Sequence, residues 1–98
     1  INAEHERGTA LMAAVEKGQY SIVKMLLDNG ADPNGRGRPH GTALHAAAAF
    51  GFVQITQVLL DRGADSTIRA GVYRTPLRAA MMRGHREVAA LLKRQGGT

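Results

Sequence analysis

The sequence predicts an all-α solenoid of three stacked helix–turn–helix units joined by β-hairpin-like loops. Two observations predict it. First, residues recur at a spacing of 33: Thr9, Thr42 and Thr75; Leu11, Leu44 and Leu77; Gly18, Gly51 and Gly84; Leu26, Leu59 and Leu92; Gly30, Gly63 and Gly96. The phase never slips, which marks a repeat architecture rather than chance. Second, each period holds two short apolar stretches with helical spacing, each closed by a glycine. One such unit cannot bury its apolar face alone, so neighbours must stack, and about three units are near the minimum for stability. The 98 residues therefore read as one domain over 1–98, with units at about 4–36, 37–69 and 70–98.

Each element follows in order. Thr9, Thr42 and Thr75 stand where a helix should begin, because a Thr hydroxyl caps free N–H groups there. Pro76 falls at a first helical position, where its missing N–H costs nothing. The first helices are predicted over 10–16, 43–49 and 76–82, with Ala13, Ala14, Ala46, Ala47, Ala79 and Ala80 permitting close approach. Gly18, Gly51 and Gly84 should end them in a left-handed turn. The second helices are predicted over about 20–29, 53–62 and 86–95, from the spacing of Ile22, Met25 and Leu26 and of their counterparts. The connections carry Pro33, Asn34, Gly35, Gly37 and Pro39 in one case and Gly71 in the other, which is turn chemistry.

Composition narrows the class. An apolar fraction of 44% with 21% charged residues is that of a folded chain. There is no cysteine, so disulfides and thiolate metal sites are excluded. This fits an intracellular protein, cytoplasmic or nuclear. No apolar run approaches the roughly 20 residues of a membrane span. The chain opens on Ile1 rather than Met, and it is expected to be a piece of a larger protein. Its net charge of +5 is unevenly spread: residues 1–35 carry −2, residues 36–68 carry +1 and residues 69–98 carry +6.

The repeat resembles the ankyrin repeat. The clearest stretch is Gly41-Thr42-Ala43-Leu44-His45-Ala46-Ala47, then Gly51, then Val58-Leu59-Leu60-Asp61-Arg62-Gly63-Ala64-Asp65. Thr75-Pro76-Leu77-Arg78-Ala79-Ala80 and Met25-Leu26-Leu27-Asp28-Asn29-Gly30-Ala31-Asp32 repeat parts of it. The resemblance covers nearly the whole chain. The signature His is present only as His45, with Met12 and Arg78 in its place elsewhere. The hairpin glycine of the family is replaced by Arg7, His40 and Tyr73, and Ala follows Thr9 and Thr42 where the family has Pro. These departures are similar to the ankyrin arrays of large fungal signalling proteins. Lys93 and Arg94 suit a terminal capping unit, whereas the first unit shows no polar cap, so the array is expected to continue N-terminally.

The resemblance implies a concave surface, lined by hairpin tips and first helices, that grips a partner protein. Carried over by position, its contact residues are His5, Glu6, Gly8, Glu16, Lys17 and Asn29 in the first unit. The second unit contributes Arg38, Pro39, Gly41, Ala49, Phe50 and Arg62, and the third Gly71, Val72, Arg74, Met82, Arg83 and Gln95. Phe50 is either an exposed aromatic anchor, typical of binding hot spots, or a partner of Phe52 across the Gly51 turn. Arg38, Arg74 and Arg83 make one end of this surface basic, while Glu4, Glu6 and Glu16 make the other acidic. An acidic peptide or loop is expected near the third unit, against the plainer reading of a solvated charged face.

Catalytic chemistry is not legible. His5, His40, His45 and His85 form no metal-ligand spacing, and His45 reads as a structural hydrogen-bonding residue beside Thr42. His85 reads as a cap of the second helix. No glycine-rich loop precedes a lysine, and neither Ser21 nor Ser66 lies in a nucleophile motif. Asn34 stands where some family members are hydroxylated, but a plain turn residue explains it. The reading is therefore a non-enzymatic protein-binding scaffold without cofactors, part of a larger regulatory or signalling chain. Two alternatives remain. One is a nucleic-acid or anionic-lipid surface on Arg69, Arg74, Arg78, Arg83, Arg86, Lys93 and Arg94, with Arg78 expected to be half-buried; the lack of interleaved aromatics argues against nucleic acid. The other is self-association through uncapped ends.

Overall fold

The computed structural model describes residues 3–37 and 41–96, with side chains described for 10–35 and 41–96. Among the described residues six helices form three pairs: α1 (Ala3–Glu16) with α2 (Tyr20–Asp28), α3 (Ala43–Phe50) with α4 (Val53–Asp61), and α5 (Pro76–Met82) with α6 (Arg86–Arg94). The first helices pack in the order α1, α3, α5, and the second helices in the order α2, α4, α6. The stack measures 35 × 23 × 22 Å.

The caps explain the starts of α3 and α5. The Thr42 hydroxyl accepts the His45 N–H, and the His45 ring closes a reciprocal box on the Thr42 N–H. The Thr75 hydroxyl accepts the Arg78 N–H at 3.2 Å, with Pro76 in the first turn. Gly51 ends α3 at φ 75°, a left-handed conformation that costs glycine least.

Thr9 departs from this pattern. It lies inside α1, whose backbone is helical from Ala3, seven residues before the predicted start at residue 10. Ala3, Glu4, Glu6 and Arg7 are good helix formers. His5 and Glu6 thus stand on a helix rather than in a hairpin; their side chains lie outside the described residues.

Hairpin geometry is found between the first and second pairs. Strands β1 (Arg36–Gly37) and β2 (Gly41–Thr42) are antiparallel, pairing Arg36 with Thr42 and Gly37 with Gly41. The connection from α4 to α5 forms no strand; the Ala70 N–H donates to the Arg74 carbonyl at 2.7 Å and closes it as a turn.

The core runs through the stack rather than sitting in one pair. Leu11, Val15, Val23, Leu44, Leu59, Val88 and Leu92 are buried, and so are Ala46, Ala47, Ala79 and Ala80, whose small side chains let the first helices approach closely. Burying each leucine is worth roughly 1.5–3 kcal/mol. Among the described residues no buried side-chain polar atom lacks a hydrogen-bond partner. Burial also depends on position in the stack. Met12 and His45 are buried, but Arg78, at the same place in the repeat, is exposed rather than half-buried, because no layer follows it among the described residues.

Candidate protein-binding surface

His45 joins two layers. The Arg74 carbonyl can only accept, so the His45 Nε2 carries the proton and donates to it at 2.9 Å. Nδ1 is then the acceptor, taking the Thr42 hydroxyl at 2.7 Å and the Thr42 N–H at 3.3 Å. This is the structural role expected of His45. The Arg74 carbonyl also receives the Ala70 N–H, so both of its acceptor sites are used. Those two bonds hold Arg74 at φ 75°, among the described residues the one non-glycine with positive φ. Such a conformation costs a non-glycine residue about 1–2 kcal/mol.

The same column holds Gly41, at φ 101°. A Cβ there would lie 2.9 Å from the Cβ of Ala70 and 3.0 Å from its backbone carbon, so the following loop excludes a side chain. Gly41 is buried, and the contact role carried over to it does not hold. Ala49, 1% exposed, is likewise removed from that surface by the following layer.

The exposed candidates are Glu16 and Lys17 at the end of α1, Asn29, Arg62 and Gln95 just after α2, α4 and α6, Gly71, Val72 and Arg74 before α5, and Met82 and Arg83 at its end. Arg83 Nη1 donates to the Tyr73 hydroxyl at 3.3 Å, which brings the end of α5 beside the 71–74 loop. Exposed Val72 and Arg74 flank half-buried Tyr73 in the chain, and exposed Met82 precedes Arg83. Arg38 and Pro39 lie outside the described residues.

Phe50 and Arg62 are tied into the framework. Phe50 is half-buried, with its ring centroid 5.7 Å from that of Phe52 at a 40° tilt. Of the two readings left open for Phe50, this geometry is the pairing with Phe52. Arg62 pairs with Asp28 of the preceding helix pair, with both side chains partly exposed.

Two contacts were not legible as interlayer contacts in the sequence. His85 precedes α6 but makes no side-chain cap there. Its ring instead donates from Nε2 to the Ala49 carbonyl at 2.9 Å and lies over Gly51. The expected capping role is overturned, because the ring turns towards a carbonyl of the preceding layer. Asn34 bridges two loops: its Nδ2 donates to the Gly63 carbonyl at 3.1 Å and its Oδ1 accepts the Asp65 N–H at 2.6 Å. The Asp65 carboxylate accepts the Thr67 hydroxyl and N–H, at 2.6 and 2.8 Å, and these bonds hold its pKa below the usual 3.8.

Among the described residues no cluster of His, Asp and Glu could hold a metal ion, and no helix is long and apolar enough to cross a membrane. Residues 11–60 match the family model for ankyrin repeats (many copies), just over half of the chain. The chain belongs to the ankyrin-repeat family, whose members are in general protein–protein interaction modules and not catalysts. No curated protein matches it.

Proposed function

We propose that this chain binds an acidic peptide or loop of a partner protein over Arg74 and Arg83, as part of a larger regulatory or signalling protein. The observation that carries the reading is the bond from Arg83 to Tyr73, with exposed Val72 and Arg74 on either side of Tyr73 in the chain and exposed Met82 next to Arg83. Guanidinium groups match carboxylates in a two-pronged geometry, and an aromatic ring with flanking apolar side chains gives a peptide dry surface to cover. The +6 charge of residues 69–98 steers an acidic segment to this end of the stack. The strain at Arg74 supports the same reading, since glycine would stand there at lower cost.

The test is capture of a fluorescent Glu-rich peptide by wild type and by an Arg74→Glu/Arg83→Glu variant. Two lost pairs and two new repulsions should weaken binding by roughly tenfold or more at low salt. The gap should narrow at about 1 M salt, where screening reaches within about 3 Å. Unchanged binding on reversal would overturn the reading. A second reading gains from the exposure of Arg78: all seven basic residues of the last third are exposed. Random-sequence duplex DNA is the probe for it. DNA binding that the same variant abolishes, with no peptide binding in wild type, would assign the surface to nucleic acid.

A further inference from the structure

Two polar side-chain contacts tie the first helix pair to the second beyond their helices: the ion pair of Arg62 with Asp28, and the bridge made by Asn34. Asn34 lies half-buried in the turn after α2, and both ends of its carboxamide reach the loop after α4, through the Gly63 carbonyl and the Asp65 N–H. The residue that follows it is Gly35. The turn does not need a glycine there. Gly30, at the end of α2, stands at φ 93°, but Gly35 is not among the positive-φ residues, and a Cβ on it would meet the Asp32 carbonyl at 3.5 Å, an ordinary contact. Its N–H donates to that carbonyl over 3.3 Å, a long bond. What the pair does supply is chemistry. With no Cβ to shield it, the nitrogen after an asparagine can reach the side-chain carbonyl carbon.

We propose that Asn34 is a deamidation site guarded by the joint between the first two helix pairs, and that its conversion keeps the joint from closing again. The Gly35 backbone nitrogen bonds to the Asn34 Cγ. The Cγ–Nδ2 bond breaks, and Nδ2 leaves as ammonia with the proton that Gly35 gives up, so a succinimide ring closes. Water then opens the ring, at Cγ to give aspartate or at the backbone carbonyl to give isoaspartate. While the joint is closed, two bonds hold the carboxamide on the neighbouring loop, so attack waits for a local opening. The product cannot remake the bridge. A carboxylate only accepts, so the Gly63 carbonyl loses its donor and faces an anion. The new charge also falls near two others: the Asp32 carboxylate accepts the Asn34 N–H at 2.8 Å, and Asp65 is the residue whose N–H meets the Asn34 side chain. Asn29-Gly30 is the same dipeptide in a different setting. The Asn29 Nδ2 donates to the Met25 carbonyl of its own helix, and the Gly30 N–H is bonded to the Leu27 carbonyl at 3.1 Å, so neither depends on the joint.

The inference is independent of the acidic-peptide reading, and its test leaves Arg74 and Arg83 untouched. Trypsin releases residues 25–36 as one peptide that holds both Asn29 and Asn34, so fragment masses follow the two sites side by side. Wild type kept folded at mildly alkaline pH should gain acid at Asn34 several times more slowly than in denaturing urea. The rate should climb in urea well below the unfolding midpoint. Arg62→Ala removes the ion pair across the same joint and should raise the Asn34 rate by up to about fivefold, with Asn29 unchanged. Gly35→Ala should slow Asn34 severalfold and leave the urea midpoint unchanged or slightly raised, because a Cβ restricts the unfolded chain and fits this turn. Asn34→Ala should lower the midpoint, and Asn34→Asp should lower it further, since it adds the charge as well. Absence of conversion at Asn34 overturns the site, and so does a Gly35→Ala rate equal to that of wild type. Equal Asn34 rates in folded and unfolded protein, or a folded rate that neither mild urea nor Arg62→Ala changes, overturn the guarding role of the joint. An Asn34→Asp variant as stable as wild type overturns the block to reclosing.

Discussion

The second and third helix pairs carry the same motif but live under different constraints. Gly41 stands against Ala70 and has no room for a side chain, while Arg74 occupies that column in the third pair. His45 is enclosed and bonded on both ring nitrogens, while Arg78 is exposed. Ala48 is buried beneath the following layer, while Met81 is open. Gly51 lies beneath the His85 ring, and Gly84 beneath nothing. The difference follows from what stacks on each pair: a covered layer needs small residues and satisfied polar groups, because buried volume and unpaired donors are costly. An uncovered layer accepts arginine and methionine at the same columns.

Substitution of matched columns should break or sharpen that contrast. The largest expected effect is at the histidine column. His45→Ala removes a buried ring and leaves the Thr42 N–H and the Arg74 carbonyl short of a partner, a loss of about 3 kcal/mol. Arg78→Ala should change stability by no more than about 0.5 kcal/mol. Urea midpoints measure both, and equal losses would dissolve the contrast.

Next are the turn glycines. Gly51→Ala places a Cβ into the His85 ring as well as in a left-handed conformation, for about 2–3 kcal/mol. Gly84→Ala meets only the conformational penalty, about 1 kcal/mol. A Gly84 variant as unstable as the Gly51 variant would show that covering by the next layer is not what separates them.

The smallest effect is a gain. Arg74→Gly relieves the left-handed strain, partly offset by the freer unfolded chain, and should stabilise the protein by about 0.5 kcal/mol. The same variant should bind the Glu-rich peptide more weakly. Stability gained without loss of peptide binding would detach the strain from the proposed site.

Much of the fold was legible because it is written locally. The Thr42 and Thr75 caps, the Pro76 start and the Gly51 end each satisfy groups within one turn of themselves. The helix bounds for α3 and α5 follow to within a residue. Thr9 was misread because a cap signal cannot show whether the residues before it continue the helix. The candidate site was legible as a list and only partly as a surface. Arg74 and Arg83 are nine residues apart in sequence, and it is the bond from Arg83 to Tyr73 that brings Arg83 beside the loop carrying Arg74. Phe50 took the pairing with Phe52 that the sequence had left as one of two readings, whereas the pair of Arg62 with Asp28 was not announced by its column.

By itself the sequence determined the period, the helix pairs, the family and the concentration of positive charge in the last third, since periodicity and composition are properties of the chain. The tertiary structure alone decided which copy of each column is covered. That choice set Arg78 and Met81 in the open and turned His85 and Asn34 into contacts between layers. The physical reason is that a column names a place within one layer, whereas burial and hydrogen bonding depend on the layer stacked against it.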